Sequence, residues 1–295
     1  MKKTSLLKKL ILDDEILVMP GAHDALSAKI IETVGFKAVT MGGYAASAAS
    51  LAKPDVSLLT LSEYVNIARN IVQAVDVPLF VDGDTGHGNV TNVQRTVREF
   101  ESAGVAGLFI EDQIFPKRCG HMEGKQIIST LEMVAKIKAA VDARVDQDLV
   151  VMARTDALAV NGIDDAIERG NIYREAGADL IFVEAPTSKE EMIRVNREID
   201  APTLAIQLEG GKTPLVTVKE LEELGFNVVV YPNSTVYATA WALKELWTGL
   251  MKDGSTKSFV KKMTCFDDFN TLVGLDKIRN LETHYYHDLL ESLQE

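Results

Sequence analysis

The sequence predicts an α/β fold of the (β/α)8, TIM-type barrel class, with extra helices at its C-terminal end. Three observations point there. Short apolar runs alternate with segments of helical period along the whole chain. The runs lack a clean apolar/polar alternation, which is how strands buried on both faces read. One helix-to-strand junction also recurs four times, as Val34-Gly-Phe-Lys-Ala-Val39, Ala103-Gly-Val-Ala-Gly-Leu108, Ala176-Gly-Ala-Asp-Leu-Ile181 and Leu224-Gly-Phe-Asn-Val-Val229. An open doubly wound sheet is the alternative arrangement of the same units.

Each element can be placed in turn. The opening segment, Met1–Ile11, is basic and amphipathic; Lys8 and Lys9 interrupt its apolar residues, so it reads as a short surface helix and not as a signal peptide. The strands follow as Ile16–Met19, Ala38–Met41, Pro78–Val81, Leu108–Ile110, Leu149–Ala153, Leu180–Val183, Thr203–Ile206 and Val228–Tyr231. Between the second and third, Leu61, Val65, Ala68, Ile71 and Val75 repeat at helical spacing, as do Val93, Val97 and Phe100 further on, and then Ile163, Ala166, Ile167 and Ala176. Gly35, Gly104, Gly177 and Gly225 fall just past such segments, where a helix ends on a left-handed residue. The reading is a single domain over residues 1–295, with the barrel over about 14–250 and a helical extension over about 251–295. That extension is expected to hold helices at Thr256–Met263, Phe266–Leu275 and a last one running to Glu295.

Bulk properties narrow the function. The chain has 295 residues, 46% hydrophobic and 25% charged, a length normal for an α/β barrel. Its net charge of −12 argues against nucleic acid or an anionic membrane surface as the main partner. No apolar run approaches the roughly 18 residues of a membrane span. Two cysteines far apart, Cys119 and Cys265, give no disulfide framework and fit a reducing cytoplasm. Cys265 reads as a small buried residue.

Chemistry in such barrels collects at the C-terminal ends of the strands. Here those ends carry Gly21-Ala-His23-Asp24, Gly42-Gly43-Tyr44, Asp82-Gly-Asp84, Glu111-Asp112, Arg154-Thr-Asp156, Glu184, Gln207-Leu208-Glu209 and Asn233-Ser234. Asp82 and Asp84, two apart, can lean the same way, and with Glu111 of the next strand would bring three carboxylates to one point. A divalent cation relieves their repulsion, and an all-oxygen set selects Mg²⁺, or Mn²⁺, over zinc. A solvated acidic rim is the plainer alternative. Arg154 can clamp a substrate carboxylate or serve as a salt bridge to Glu184 or Asp156. Gly42-Gly43 expose backbone N–H groups to an anion, or make only a tight turn. The Gly86-His87-Gly88 loop lacks the pattern of a P-loop or a dinucleotide site. No lysine stands at a predicted strand end, which disfavours Schiff-base chemistry. Finally, Cys119 lies between Lys117, Arg118 and His121, cations that lower a thiol's pKa.

These residues carry a resemblance. Met19–Ala28 (Met-Pro-Gly-Ala-His-Asp-Ala-Leu-Ser-Ala), Pro54-Asp55, Val81–Gly88, Ile110-Glu-Asp-Gln113, Pro116-Lys-Arg-Cys-Gly-His121, Met152–Ala157 and Glu184-Ala-Pro186 stand in the order found in the phosphoenolpyruvate mutase/isocitrate lyase superfamily, which this chain resembles. Within it, Lys-Arg-Cys-Gly-His belongs to the carbon–carbon lyases acting on 2-methylisocitrate, 2,3-dimethylmalate and related alkylmalates. The resemblance implies a barrel with a helix swapped between subunits, a homotetramer, and Mg²⁺ carried by Asp82, Asp84 and Glu111. The implied substrate is a 2-hydroxy dicarboxylate, cleaved to a 2-oxo acid and a carboxylic acid. Cys119 would be the general acid with Lys117, Arg118 and His121 tuning it, Arg154 would add positive charge, and Asp55 sits on the loop that gates the site in the family. Gly42, Gly43, Tyr44, Arg154, Glu184, Ile206, Leu208 and Ser234 are the expected substrate-binding positions. An oxaloacetate hydrolase, a mutase-like enzyme and a non-catalytic binding protein on the same scaffold are the competing readings.

Two departures bear on the substrate. Many relatives carry Ser at the position of Gly42. On the seventh strand, relatives that bind a second acidic arm carry Asn and a Thr or Ser where this chain has Ile206 and Leu208. Apolar side chains do not compensate the desolvation of a carboxylate. The expectation is therefore an alkyl group there, favouring 2,3-dimethylmalate or another alkylmalate over 2-methylisocitrate.

Overall fold

The structure, a computed structural model, describes residues 1–292 and divides into two compact units, Met1–Tyr237 and Ala238–Glu295. In the first unit eight strands lie parallel in chain order: β1 (Leu17–Pro20), β2 (Val39–Met41), β3 (Leu79–Asp82), β4 (Gly107–Glu111), β5 (Val150–Thr155), β6 (Leu180–Val183), β7 (Leu204–Ile206) and β8 (Val228–Tyr231). One ladder joins β2 to β6 and another joins β7, β8 and β1. Single parallel bridges at Gly21–Thr40 and Ile181–Thr203 close the two seams, which makes the predicted barrel.

The helices of this unit are α1 (Lys3–Ile11), α2 (Ala25–Val34), α3 (Gly43–Leu51), α4 (Leu61–Ala74), α5 (Val90–Ser102), α6 (Thr130–Ala143), α7 (Leu158–Asn161), α8 (Ile163–Glu175), α9 (Lys189–Glu198) and α10 (Val218–Glu223). Their ends follow local chemistry. Asp24, Thr60 and Thr217 each accept a backbone N–H and complete a capping box. The four recurrent junction glycines all take positive φ, from 88° to 110°. α1 differs from expectation: its face carrying Leu7 and Ile11 is buried in the barrel interior, because the inner ends of the strands are apolar and would otherwise meet water.

The absence of alternation along the strands has a simple origin, since two separate clusters claim the two faces. Leu17, Met19, Phe80, Phe109, Val150, Met152, Leu180, Phe182, Leu204, Val228 and Val230 fill the barrel interior. Val39, Leu79, Val81, Leu108, Ile110, Val151, Ile181, Val183, Ala205 and Val229 face the helices. The period of two that hides in the sequence therefore still decides which residue enters the mouth of the barrel. Two residues beyond the interior Phe80, Phe109, Met152 and Phe182 stand Asp82, Glu111, Arg154 and Glu184.

The helix α11 (Ser234–Asp253) runs into the second unit, which continues with a 3₁₀ segment Lys257–Lys262, α12 (Phe266–Leu272) and α13 (Leu275–Ser292). α12 stops earlier than expected, ahead of Gly274 at φ 83°. The end expected at Glu295 lies outside the described residues. Cys265 is exposed, not buried: it is the N-cap of α12 and its sulfur accepts from the Asp268 N–H at 3.4 Å, a role that places a side chain at a helix start and not in a core.

Candidate active site

The mouth of the barrel holds a cavity whose lining combines the polar side chains of Asp55, Asp82, Cys119, His121, Arg154 and Glu184 with apolar ones that include Leu204, Ile206, Leu208, Val230 and Pro232. Gly42, Gly43, Tyr44 and Asn233 complete its rim. Of the expected residues, Asp84 and Glu111 lie beneath it, fully buried. Ser234 is not part of the lining; it opens α11 and its hydroxyl donates to Glu209 Oε1 at 2.5 Å, so the helix start turns it away from the cavity. Asn233, one residue earlier, takes the inward place and donates to the Tyr237 hydroxyl at 3.4 Å.

Asp82 ends β3 and is knitted into its surroundings. Its Oδ2 accepts the Gly43 N–H at 2.9 Å and its Oδ1 accepts the Asp84 N–H at 2.8 Å. The Gly43 amide is thus committed to a carboxylate and does not await an anion. A side chain at Gly43 would come within 2.8 Å of the Tyr64 hydroxyl and 2.9 Å of Asp82 Oδ2, so the close approach needs glycine. Asp84 has left the strand, with φ at 50°, and does not share a strand face with Asp82.

Lys117 stands among the carboxylates. Its Nζ lies 2.8 Å from Asp55 Oδ2, 2.8 Å from Asp84 Oδ1 and 3.9 Å from Asp82 Oδ2, and its side chain is 1% exposed. Among the described residues no three His, Cys, Asp or Glu side chains converge on a common metal position. The expected meeting of Asp82, Asp84 and Glu111 at one point is therefore corrected: an ammonium relieves part of their repulsion and spaces them. Positive charge is still short. Both Glu111 oxygens and both Asp84 oxygens are buried without a hydrogen bond, their company being ionic only. Burial holds both carboxyls above the usual carboxylate range, against the pull of Lys117 on Asp84 and of Arg154 on Glu111. Mg²⁺ keeps several waters and takes only one or two carboxylates directly, so a spaced oxygen set of this kind fits it.

Arg154 serves both readings left open. It forms a fork with Asp156, Nε to Oδ2 at 3.0 Å and Nη2 to Oδ1 at 3.2 Å, and reaches Glu111 Oε2 at 3.3 Å and Glu184 Oε2 at 3.2 Å. It also lies over Phe109 and Phe182, at 5.8 and 5.5 Å from the ring centres, and borders the cavity. Glu184 stands 3.2 Å from His121 Nε2; burial would raise its pKa, but Arg154 and His121 together hold it below the usual range. His121 Nδ1 accepts the Lys212 N–H at 2.9 Å, which ties the loop after β4 to the loop after β7.

Cys119 shows the largest change from expectation. Burial pushes its thiol up to about 11; the carboxylates of Glu184 and Asp55 add to this, outweighing Arg154 and a bond from the His121 backbone. Lys117 and Arg118 are not among the main influences on it, because the loop sends them elsewhere. Lys117 turns to the carboxylates, and Arg118 Nη1 donates to the exposed Glu123 carbonyl at 3.3 Å. Tyr44, hydrogen-bonded to Tyr237 and part-buried, is likewise pushed up to about 12. Gly120 packs so tightly that a Cβ would lie 2.3 Å from the Glu184 carboxyl carbon and 2.4 Å from Arg154 Nη2. Gly120→Ala is expected to keep the fold and to lower turnover by about 100-fold through misplacement of these groups, read from kcat beside the melting curve. Wild-type kcat in a folded variant would show that the contact is slack.

Sequence reasoning missed the place of Lys117 and the involvement of Lys125; Asn233 it placed only at a strand end, and Asp156 as one possible partner of Arg154. The only available signal was the Pro116-Lys117 step into an irregular loop, which does not say where a side chain points.

A closed parallel barrel with buried carboxylates, a guanidinium and a protonated thiol around one small cavity defines an α/β-barrel protein built for a small anionic ligand. The family model for phosphoenolpyruvate phosphomutase matches residues 7–251. The 2,3-dimethylmalate lyase of Eubacterium barkeri is 51% identical over 285 residues, 97% of this chain and 99% of that one. The 2-methylisocitrate lyase of Aeropyrum pernix is 44% identical, with 91% and 86% covered. Among solved structures, a 2,3-dimethylmalate lyase described as a PEP mutase/isocitrate lyase superfamily member superposes with a TM-score of 0.91 at 33% identity, covering 97% of this chain and 96% of that one. A phosphonopyruvate hydrolase in complex with oxalate and Mg²⁺ gives 0.89 at 30% identity, covering 97% and 100%. The chain belongs to the phosphoenolpyruvate phosphomutase family, within the PEP mutase/isocitrate lyase superfamily.

Proposed function

We propose that this protein is a Mg²⁺-dependent carbon–carbon lyase that cleaves a 2-hydroxy dicarboxylate of the 2,3-dimethylmalate type into pyruvate and propionate. The observation that carries this reading is the cavity itself, whose lining combines a half-buried neutral thiol and a guanidinium with the alkyl side chains of Ile206 and Leu208. The 51% identity to a 2,3-dimethylmalate lyase supports it. Asp82, with Asp84 and Glu111 behind it, would hold Mg²⁺. When bound, that ion supplies positive charge to the oxygens of the substrate's hydroxy-acid end.

The chain's own residues perform the rest. Asp55 borders the cavity and keeps Oδ1 unpartnered, so it is the candidate to take the proton of the 2-hydroxyl. As that proton leaves, the C2–C3 bond breaks, its electrons pass to the carboxylate-bearing fragment as an enediolate, and the former hydroxyl becomes the carbonyl of pyruvate. Arg154 faces the developing negative charge from a water-poor pocket. Cys119 Sγ then delivers its proton to carbon and releases propionate. Ile206 and Leu208 receive the methyl group, and no side chain there compensates a second carboxylate arm.

The test is Mg²⁺-dependent pyruvate release from 2,3-dimethylmalate and 2-methylisocitrate by purified protein. Release from the first is expected to exceed that from the second, and chelation by EDTA is expected to abolish both, with recovery on adding Mg²⁺ or Mn²⁺. Equal turnover of the two would remove the alkyl-pocket reading; release from neither would remove the lyase reading. A further expectation concerns pH. The proton donor is competent while protonated, so activity is lost on the alkaline side as pH rises through about 11, not through the 9.0 of an ordinary thiol. A fall centred near 9 would point to an open thiol.

The second unit exposes Trp241, Met251 and Phe266. We read these as surfaces for a homotetramer with exchanged C-terminal helices, in the cytoplasm; a monomeric mass by light scattering would refute the tetramer. Among the described residues no helix is long and apolar enough to cross a membrane.

A further inference from the structure

Lys125 lies on the loop after β4, beyond Cys119, and its side chain is 2% exposed. Its Nζ donates to the Gly120 carbonyl at 2.5 Å and to Asp156 Oδ1 at 2.8 Å. These acceptors belong to different segments of the chain, the loop after β4 and the end of β5. Gly120 directly follows Cys119 and packs against Arg154 and Glu184. Asp156 is the carboxylate that forks the Arg154 guanidinium.

Asp156 is also a rigid anchor. Its backbone N–H donates to Asp112 Oδ1 at 2.8 Å, and Asp112 Oδ2 in turn accepts from Thr155 Oγ1 at 2.7 Å, Tyr173 at 2.9 Å and Arg169 at 3.2 Å. The thiol-bearing loop is held on either side of Gly120: Gln113 accepts the Arg118 N–H at 3.1 Å and donates to the Arg118 carbonyl at 2.8 Å, and His121 Nδ1 accepts the Lys212 N–H at 2.9 Å. Between Pro116 and Gly124 it has no helix or strand, and the Cys119 N–H reaches the Asp55 carbonyl only at 3.3 Å. A lysine that merely neutralised Asp156 would have no use for the carbonyl of Gly120. One ammonium with several donors can instead join a fixed carboxylate to the one backbone carbonyl that follows the thiol.

We infer that Lys125 is a positioning residue, setting the Cys119 thiol against the Arg154 guanidinium by tying the Gly120 carbonyl to Asp156. This rests on the lyase reading, in which both groups act on one substrate. It extends that reading to a residue that touches neither substrate nor metal.

The experiment compares full-length wild type with Lys125→Met in a Cys265→Ser background, so that Cys119 is the single thiol. Alkylation of Cys119 by iodoacetamide is followed across pH, beside kcat, KM and thermal melting. In the variant, kcat is expected to fall by about 100-fold with KM moved less, as for a misplaced catalytic group. The alkylation rate is expected to rise and its pH midpoint to move down towards that of an open thiol, at temperatures where the melt shows folded protein. Lys125→Gln, whose shorter amide cannot span both acceptors, is read in the same way should the Met variant not fold. An unchanged alkylation profile together with wild-type kcat would overturn the inference. A wild-type protein that cleaves no substrate would count against the lyase reading alone, since the alkylation comparison still decides the role of Lys125.

Discussion

Replacing Cys119 by serine is expected to lower turnover by about 100- to 10,000-fold while leaving Mg²⁺ binding intact. The sulfur and the oxygen are close in size, so the loop should hold its place, but a buried hydroxyl is a far weaker acid than this thiol. Cys119 is not among the groups around Lys117, so the carboxylates that would hold the ion keep their geometry. Measuring kcat together with Mn²⁺ affinity by titration separates the two effects. A serine variant with wild-type turnover would show that the thiol is a bystander, as in a protein that retained the fold only for binding.

Arg154→Met is expected to reduce both activity and stability, the latter by about 3–5 kcal/mol. Three buried carboxylates, Asp156, Glu111 and Glu184, face its guanidinium within 3.3 Å. Methionine leaves them without that charge in a pocket they cannot escape. The pH dependence contributed by Asp156 and Glu184 should also change sign. In the wild type burial would raise Asp156 and Glu184, but Arg154, with Lys125 and His121, holds both below their usual range. Folding therefore gains from these two above the unfolded pKa values and loses that gain as pH falls through the folded ones. Without Arg154 the carboxyls rise, the folded state binds more protons than the unfolded chain, and stability should increase on going from about pH 8 to about pH 5. Urea unfolding at both pH values tests this. A variant within about 1 kcal/mol of wild type at neutral pH would mean that Lys125 and His121 carry the balance unaided.

The strand ends were legible because their logic is local. A strand has a period of two, and an interior aromatic followed two residues later by a charge, as in Phe80 and Asp82 or Phe182 and Glu184, points that charge at the mouth whatever the rest of the chain does. The loop after β4 was not legible for the opposite reason. Lys117, Arg118 and Cys119 are consecutive, yet one side chain turns to buried carboxylates, one to an exposed carbonyl and one to the cavity. Reading those cations as depressing the thiol pKa assumed that neighbours in sequence are neighbours in space. Ser234 and Asn233 show the same limit at a helix start, where one residue of offset exchanges the inward and outward positions.

The amino-acid sequence by itself determined the barrel, the order of its strands, and the strand-borne residues Asp82, Glu111, Arg154 and Glu184 at its mouth. Apolar periodicity and glycine-ended helices are short-range properties, and they leave little freedom in where each strand begins and stops. Only the tertiary structure decided that Lys117 stands among the carboxylates, that Lys125 bridges Gly120 to Asp156, and that Cys119 keeps its proton. Those outcomes depend on burial and on long-range Coulomb interactions between segments far apart in the chain. Both exist only once the loops have closed over the barrel and excluded water.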